Sequence, residues 1–200
     1  DENITTLKNT YRNSSDLVIR EITISNIKIA FVMIEGMVSS QAIAEILQAP
    51  LLRQTFPLNA TSETIYDYLH NKSIIATDMV DVDSYESLFR LIMSGFIVVL
   101  FDGLNKAIAF GTQGFHYRSI SEPVSEVNEK GSREGFAEPI RVNMSMVRRR
   151  VKSPTLKFEL MTIGKVSKTD ICLMYITDKK RGCLFKETAS CFLCFYRCFT

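Results

Sequence analysis

The sequence predicts an α/β fold of two related small subdomains in tandem, the second incomplete. Three observations carry that prediction. Runs rich in β-branched residues alternate with short amphipathic stretches, the pattern of a layered α/β sandwich. One strand–turn–strand pattern occurs twice, as DLVIREITI-SN-IKIAFVMI from Asp16 and as LKFELMTI-GKVSKT-DICLMYI from Leu156. After Ile176 the composition changes abruptly, and no helical stripe follows where one follows Ile34 in the first copy.

Taken in order, Asp1–Ser15 is polar and reads as a flexible N-terminus. The first subdomain is expected over residues 16–116. It opens with two strands, Asp16–Ile24 and Ile27–Ile34, joined at Ser25-Asn26. Ser39-Ser40 supplies N-cap chemistry for a helix whose Ile43, Ile46 and Leu47 share a face, and Pro50 marks its stop or bend. Leu51–Thr61 reads as loop, Glu63–His70 as a short helix and Ser73–Val80 as a weak strand. Ser84 caps a second helix striped by Leu88, Leu91 and Ile92, with Gly95 as its stop. Phe96–Phe101 is the strongest strand, turning at Asp102-Gly103 and returning as Lys106–Phe110.

Residues 117–155 form a charged linker and helix, 156–176 the start of the second subdomain, and 177–200 a divergent cysteine-rich tail. The stretch Arg118–Pro154 differs in kind from its surroundings, with charges of both signs around two glycines, a phenylalanine and a triple arginine. Burying unpaired charge is costly, so this stretch is expected to be a surface that meets a partner. Ile140, Met144, Val147 and Val151 fall on one side of a helix, Arg141, Arg148 and Lys152 on one flank, Asn143 and Arg150 on the other, with Arg149 pointing away. The arginines therefore splay over several faces. They are expected to pair, with Arg133, to the glutamates between Glu122 and Glu138, across a subdomain boundary or a partner interface.

Composition bounds the function classes. Of 200 residues, 46% are hydrophobic and 23% charged, enough for a globular core, and a net charge of +2 does not by itself point to nucleic acid. The chain begins at Asp1 with neither methionine nor signal peptide and reads as a fragment. Its longest apolar run, Leu91–Phe101, is too short to span a bilayer.

Catalytic signals are weak. His70 and His116 stand apart from any nucleophile or carboxylate at a telling spacing. Gly131 and Gly135 precede a helix, but GSREG lacks both the Lys-Ser/Thr ending of a phosphate loop and the dinucleotide fingerprint, and reads as a turn. Cys183, Cys191, Cys194 and Cys198 have the sulfur count for zinc but not two separated pairs, and aromatic residues fill the gaps. Neither a cofactor nor a metal is expected.

The blocks SSDLVIREI at Ser14–Ile22, RSISEP at Arg118–Pro123, GSREGFAE at Gly131–Glu138, Asn143 and RRRVKSPTLKFE at Arg148–Glu159 resemble the soluble N-terminal domain of the A subunit of GerA-family spore germination receptors. The resemblance runs from about Ser14 to Ile176. It implies two tandem α/β subdomains similar to small-solute-binding folds and no enzyme activity. It also implies a parent subunit with this domain on the cytosolic side of the spore inner membrane, acting with B and C subunits to sense a nutrient and trigger germination. The membrane would be reached only through a parent domain absent here.

The stretch around Arg118, Glu122, Arg133, Glu134, Gly135, Phe136, Glu138, Asn143, Arg148, Arg149 and Arg150 is then expected to be the joint that connects the subdomains and transmits their arrangement. Two alternatives stay open: a small solute bound in the cleft between subdomains, and nucleic-acid binding through the arginines, the latter disfavoured by the splay and the glutamates. From Thr177 the sequence departs from the family pattern, as a truncated or frame-shifted product would, and Ser132 stands where the family often has proline.

Overall fold

A computed structural model describes residues 2–57, 59–72, 78–114, 136 and 139–177. The expectations for the glycine turn, His116, the glutamates between Glu122 and Glu138 and the tail cysteines lie outside these residues.

The chain forms a five-stranded antiparallel sheet with helices on both faces, followed by a helix and a separate two-stranded sheet. Strands β1 (Leu17–Ile24) and β2 (Ile27–Ile34) pair over their whole length around Ser25 and Asn26, whose φ values of 48° and 67° give the left-handed turn that matches strand twist. β4 (Phe96–Phe101) pairs with β2 and with β5 (Ala107–Gly111), and β5 pairs with β3 (Met79–Val82), giving the order β1-β2-β4-β5-β3.

Strand periodicity splits the core between the two faces. Val32, Ile34, Val98, Ala107 and Ala109 face α5 (Tyr85–Ile92) with its Leu88, Leu91 and Ile92, and α1 (Glu2–Thr10). Ile29, Phe31, Ile97, Val99, Phe101 and Phe110 face Ile46, Leu47, Leu51, Ile65 and Leu69 on the other side. Those residues come from the π-helical turn Ala44–Gln48, α3 (Ala49–Arg53) and α4 (Ser62–Lys72), with the half-buried Ala42 and Ile43 of α2 (Ser40–Ile43) beside them. Both serine caps form: Ser39 Oγ accepts from Ala42 N at 3.3 Å and Ser84 Oγ from Ser87 N at 3.4 Å.

One local expectation is corrected and two are sharpened. Residues 2–15 are not frayed: α1 places Leu7 and, one turn on, Tyr11 at 0% exposure against the sheet, so two apolar anchors order an otherwise polar segment. The helix after Ser39, expected to stop or bend at Pro50, runs on to Arg53 through a wide π turn just before the proline, which has no N–H to give to the preceding turn. Of the strand expected over Ser73–Val80, residues 73–77 lie outside the described residues; the strand described there is Met79–Val82, set by pairing with β5.

The second hairpin forms as the repeat predicts. β6 (Leu156–Ile163) and β7 (Thr169–Ile176) pair in eight consecutive positions. Ahead of them, α6 (Ile140–Arg150) lays Met144 and, half-buried, Val147 and Val151 on Leu156, Phe158, Leu160, Cys172 and Met174.

Candidate site at the joint between the two sheets

The residues that join the two sheets come from three places: the segment before β1, one face of α6 and the start of β6. On α6, Arg141, Ser145, Arg148 and Lys152 (just beyond its end) recur at helical spacing and turn toward the first sheet unit. Arg141 forms an ion pair with Glu35, at the end of β2. Ser145 lies against Gly36, where an added Cβ would come within 3.0 Å of the serine Cβ and 3.3 Å of Arg141 O. Gly36 also has φ +78°, so glycine answers two demands there, a left-handed backbone and a close helix. Lys152 Nζ reaches Ser94 Oγ at 3.5 Å.

At the centre is a buried charge pair. Arg148 is 0% exposed and Asp16 1%. The guanidinium Nε donates to Asp16 Oδ2 at 2.7 Å and Nη2 to Oδ1 at 3.0 Å, a two-pronged pairing that lysine cannot make. Its remaining donors reach Ser153 O and Leu156 O, each at 2.9 Å. The Phe158 ring lies 4.7 Å below the guanidinium carbon and the Tyr11 ring 5.9 Å from it. A charge with two carboxylate contacts, two carbonyls and two aromatic rings can be buried where an unpaired one could not.

Ser14 completes the centre. Its Oγ donates to Asp16 Oδ1 at 2.6 Å and accepts from Phe158 N at 2.9 Å. Ser15 N donates to Phe158 O at 3.0 Å, and Leu160 N reaches Ser15 Oγ at 3.3 Å. Residues 14–15 thus run along the outer edge of β6 while Asp16 O accepts from Glu35 N at 2.8 Å, so one short segment bonds to both hairpins.

The sequence-predicted residues are redistributed by this geometry. Arg148 is corrected from partner-facing surface to core, and its carboxylate partner among the described residues is Asp16; the glutamates between Glu122 and Glu138 lie outside them. Asn143 is buried, Arg149 half-buried, Arg150 exposed, and Phe136 69% exposed. Arg118, Glu122, Arg133, Glu134, Gly135 and Glu138 lie outside the described residues. Sequence reasoning missed Ser14, Asp16, Glu35 and Phe158 as members of the joint; the one available signal was the polar Ser-Ser-Asp block directly before an apolar strand.

The alternative of a solute cleft between subdomains would place it where Arg148 and Phe158 are packed at 0% exposure. The two cavities described, of about 240 and 160 Å³, lie elsewhere, beside Asn3, Leu100, Phe101 and Leu104, and neither is lined by α6 or the second hairpin. Arg148 is not available to phosphate. His70 stacks on Tyr66 at 5.8 Å, with Nε2 3.6 Å from Asp81. The Cys172 thiol is pushed up to about 11 by burial, which keeps it protonated and unreactive. Among the described residues no cluster of histidine, cysteine or acidic side chains could hold a metal ion.

Comparison with known proteins identifies the family. The family model described as Bacillus/Clostridium GerA spore germination protein matches residues 5–189, so the chain belongs to the GerA family. Spore germination protein KA of Bacillus subtilis is 36% identical over 178 residues, covering 88% of this chain and 32% of that protein. Spore germination protein B1 of the same organism is 29% identical over 192 residues, covering 92% of this chain and 38% of its own length. The chain thus spans about a third of the length of the curated relatives it matches. The crystal structure of the N-terminal domain of the A subunit of the Bacillus megaterium spore germinant receptor GerK3 superposes with a TM-score of 0.72 at 33% identity. That match covers 94% of this chain and 69% of the other.

Proposed function

We propose that this GerA-family chain is the N-terminal domain of a nutrient germinant receptor A subunit and acts without enzymatic chemistry, in receptor assembly and signal transmission during spore germination. The observation that carries this reading is the buried Asp16–Arg148 pair. It locks α6 to the first sheet unit while the adjoining face of the helix, through Met144, Val147 and Val151, holds the second hairpin. A change in one unit is therefore passed to the other through a single rigid helix, the behaviour required of a joint.

The boundaries that go with this reading are residues 16–116 for the first subdomain, 117–155 for the joint and 156–176 for the start of the second. The partners are B and C subunits of the same receptor, at the spore inner membrane and with this domain on its cytosolic side; the parent subunit reaches the membrane through a part not included in these residues. No helix among the described residues is long and apolar enough to cross a membrane.

The experiment uses spores whose germination depends on this receptor, carrying Arg141→Glu or Arg148→Lys in the full-length subunit. Arg141→Glu opposes Glu35 at an exposed position, and Arg148→Lys keeps the charge but loses the fork. Slowed nutrient germination is expected, by tenfold or more for Arg148→Lys, with response to a receptor-independent germinant unchanged. Subunit levels by immunoblot separate failed assembly from failed transmission. Normal receptor levels together with normal nutrient germination in both variants would refute the proposal.

A further inference from the structure

We propose that the tip of the β6–β7 hairpin is a contact for an anionic lipid surface, with Val166 as the inserting side chain and Lys165 and Lys168 as the headgroup-binding cations. Every residue from Met161 to Asp170 is exposed, and Val166, at 96%, is far more exposed than any other large hydrophobic residue described. It does not stand alone. The register pairs Met161 with Ile171, so Met161, Ile163 and Ile171 share the face turned away from the Phe158 cluster, and Val166 follows in the turn beyond the last pair. Met161 and Ile163 are 41% and 39% exposed.

Charge complementarity selects the occupant. Within Met161–Asp170 the cations are Lys165 and Lys168 and the one acid is Asp170, whose Oδ1 is taken by Thr162 Oγ1 at 2.9 Å. Neither lysine is in an ion pair among the described residues. A single aliphatic residue at a turn is ordinary, but an apolar stripe that ends between two free cations matches an interfacial contact. There aliphatic groups enter the acyl boundary while lysine stems lie along it with their ammonium groups among phosphates. Nucleic acid is a poorer fit, because Met161–Asp170 offers no aromatic ring or arginine for base stacking. Strands of eight residues make an arm about 27 Å long, so the tip stands clear of the joint. The inference is independent of the receptor assignment, since it rests on the hairpin alone.

The test is flotation of the 200-residue chain with vesicles of equal parts phosphatidylglycerol and phosphatidylcholine at low ionic strength. Flotation is expected with these vesicles and not with phosphatidylcholine alone, and 0.5 M salt should abolish it because exposed charges are then screened. Lys165→Glu with Lys168→Glu should lower the partition coefficient at least tenfold and Val166→Asp at least threefold, with thermal unfolding unchanged. Lys8→Glu with Lys106→Glu, the same charge change at exposed positions elsewhere, should leave partition within twofold of the parent chain. Failure of the parent chain to float, or equal flotation of the tip variants, would overturn the proposal. So would retention on duplex DNA that the tip substitutions remove while vesicle binding is absent.

Discussion

The two hairpins share their length, their uninterrupted eight-pair register and their alternating sequence, yet one is anchored in a core through β2 and the other lies at its margin. β2 has β4 along its second edge and helices over both faces, and Ile29, Val32 and Ile34 are at 0% exposure. Among the described residues β6 has only residues 14–15 along its outer edge and the α6 cluster on one face, and every residue from Met161 to Asp170 is exposed. Their turns follow suit: two left-handed residues in the first, and five residues from Gly164 (φ 98°) to Lys168 (φ 45°) in the second. A local pattern makes a hairpin; its neighbours decide how firmly it is held. The second hairpin therefore depends on a handful of contacts, and breaking them should separate the behaviour of the two.

The largest effect is expected from Arg148→Met. It leaves Asp16 buried without its counter-charge, a loss of about 3–5 kcal/mol. Chemical denaturation measures the total, and amide exchange should show β6–β7 opening at lower free energy than β1–β2. Combining it with Asp16→Leu removes both charges and should recover more than half the loss; a double variant as unstable as the single would mean that the aspartate was not the cause. Next comes Phe158→Ala, at about 3–4 kcal/mol, because a fully buried ring is lost from the small cluster and from beneath the guanidinium. A loss below about 1 kcal/mol would show that the second hairpin contributes little to the fold.

How much of this was legible in the sequence follows from the range of the interactions. The hairpins, the serine caps and the Leu88, Leu91, Ile92 stripe are set by neighbours within a few residues, and all were readable. The flank of Arg141, Arg148 and Lys152 was also readable, from helical spacing alone. The partner it meets was not: Arg148 binds Asp16 across 132 positions and Arg141 binds Glu35 across 106, distances over which periodicity says nothing. The rule that keeps unpaired charge out of a core also pointed the wrong way for Arg148, because the rule is silent on whether a distant carboxylate will arrive. Leu7 and Tyr11 were hidden for a related reason, being two apolar side chains in a segment whose composition is polar.

A smaller effect tests how the first unit faces the joint. The Tyr11 ring is fully buried near Arg148, its hydroxyl has no hydrogen-bond partner among the described residues, and burial raises its pKa well above the ordinary tyrosine value. Tyr11→Phe keeps the ring and removes a buried oxygen, so stability should be unchanged or rise by up to about 1 kcal/mol. A loss greater than that would assign the hydroxyl a bound water or a polar neighbour in the joint.

The smallest effect lies on the outer face of the second hairpin, where Glu159 Oε1 accepts from Tyr175 at 2.6 Å and pairs with Lys157 at 2.9 Å. The hydrogen bond from Tyr175, then that from Lys157, holds the Glu159 carboxyl below its ordinary value. A carboxylate with a lowered folded pKa adds stability above its unfolded pKa of about 4.3, and that stability is lost as pH falls through the folded value. With the side chain 40% exposed, solvent screening limits the contribution to about 0.5 kcal/mol or less. Urea unfolding at pH 6 and pH 3 of the parent chain and of Glu159→Gln isolates it. The parent should lose slightly more stability than the variant on acidification, and amide exchange should place the difference in β6–β7 rather than in β1–β2. Equal losses would mean that these three partly exposed side chains do not help to hold the hairpin, leaving, among the described residues, the contacts of Ser14, Ser15 and Arg148 and the α6 cluster to hold it.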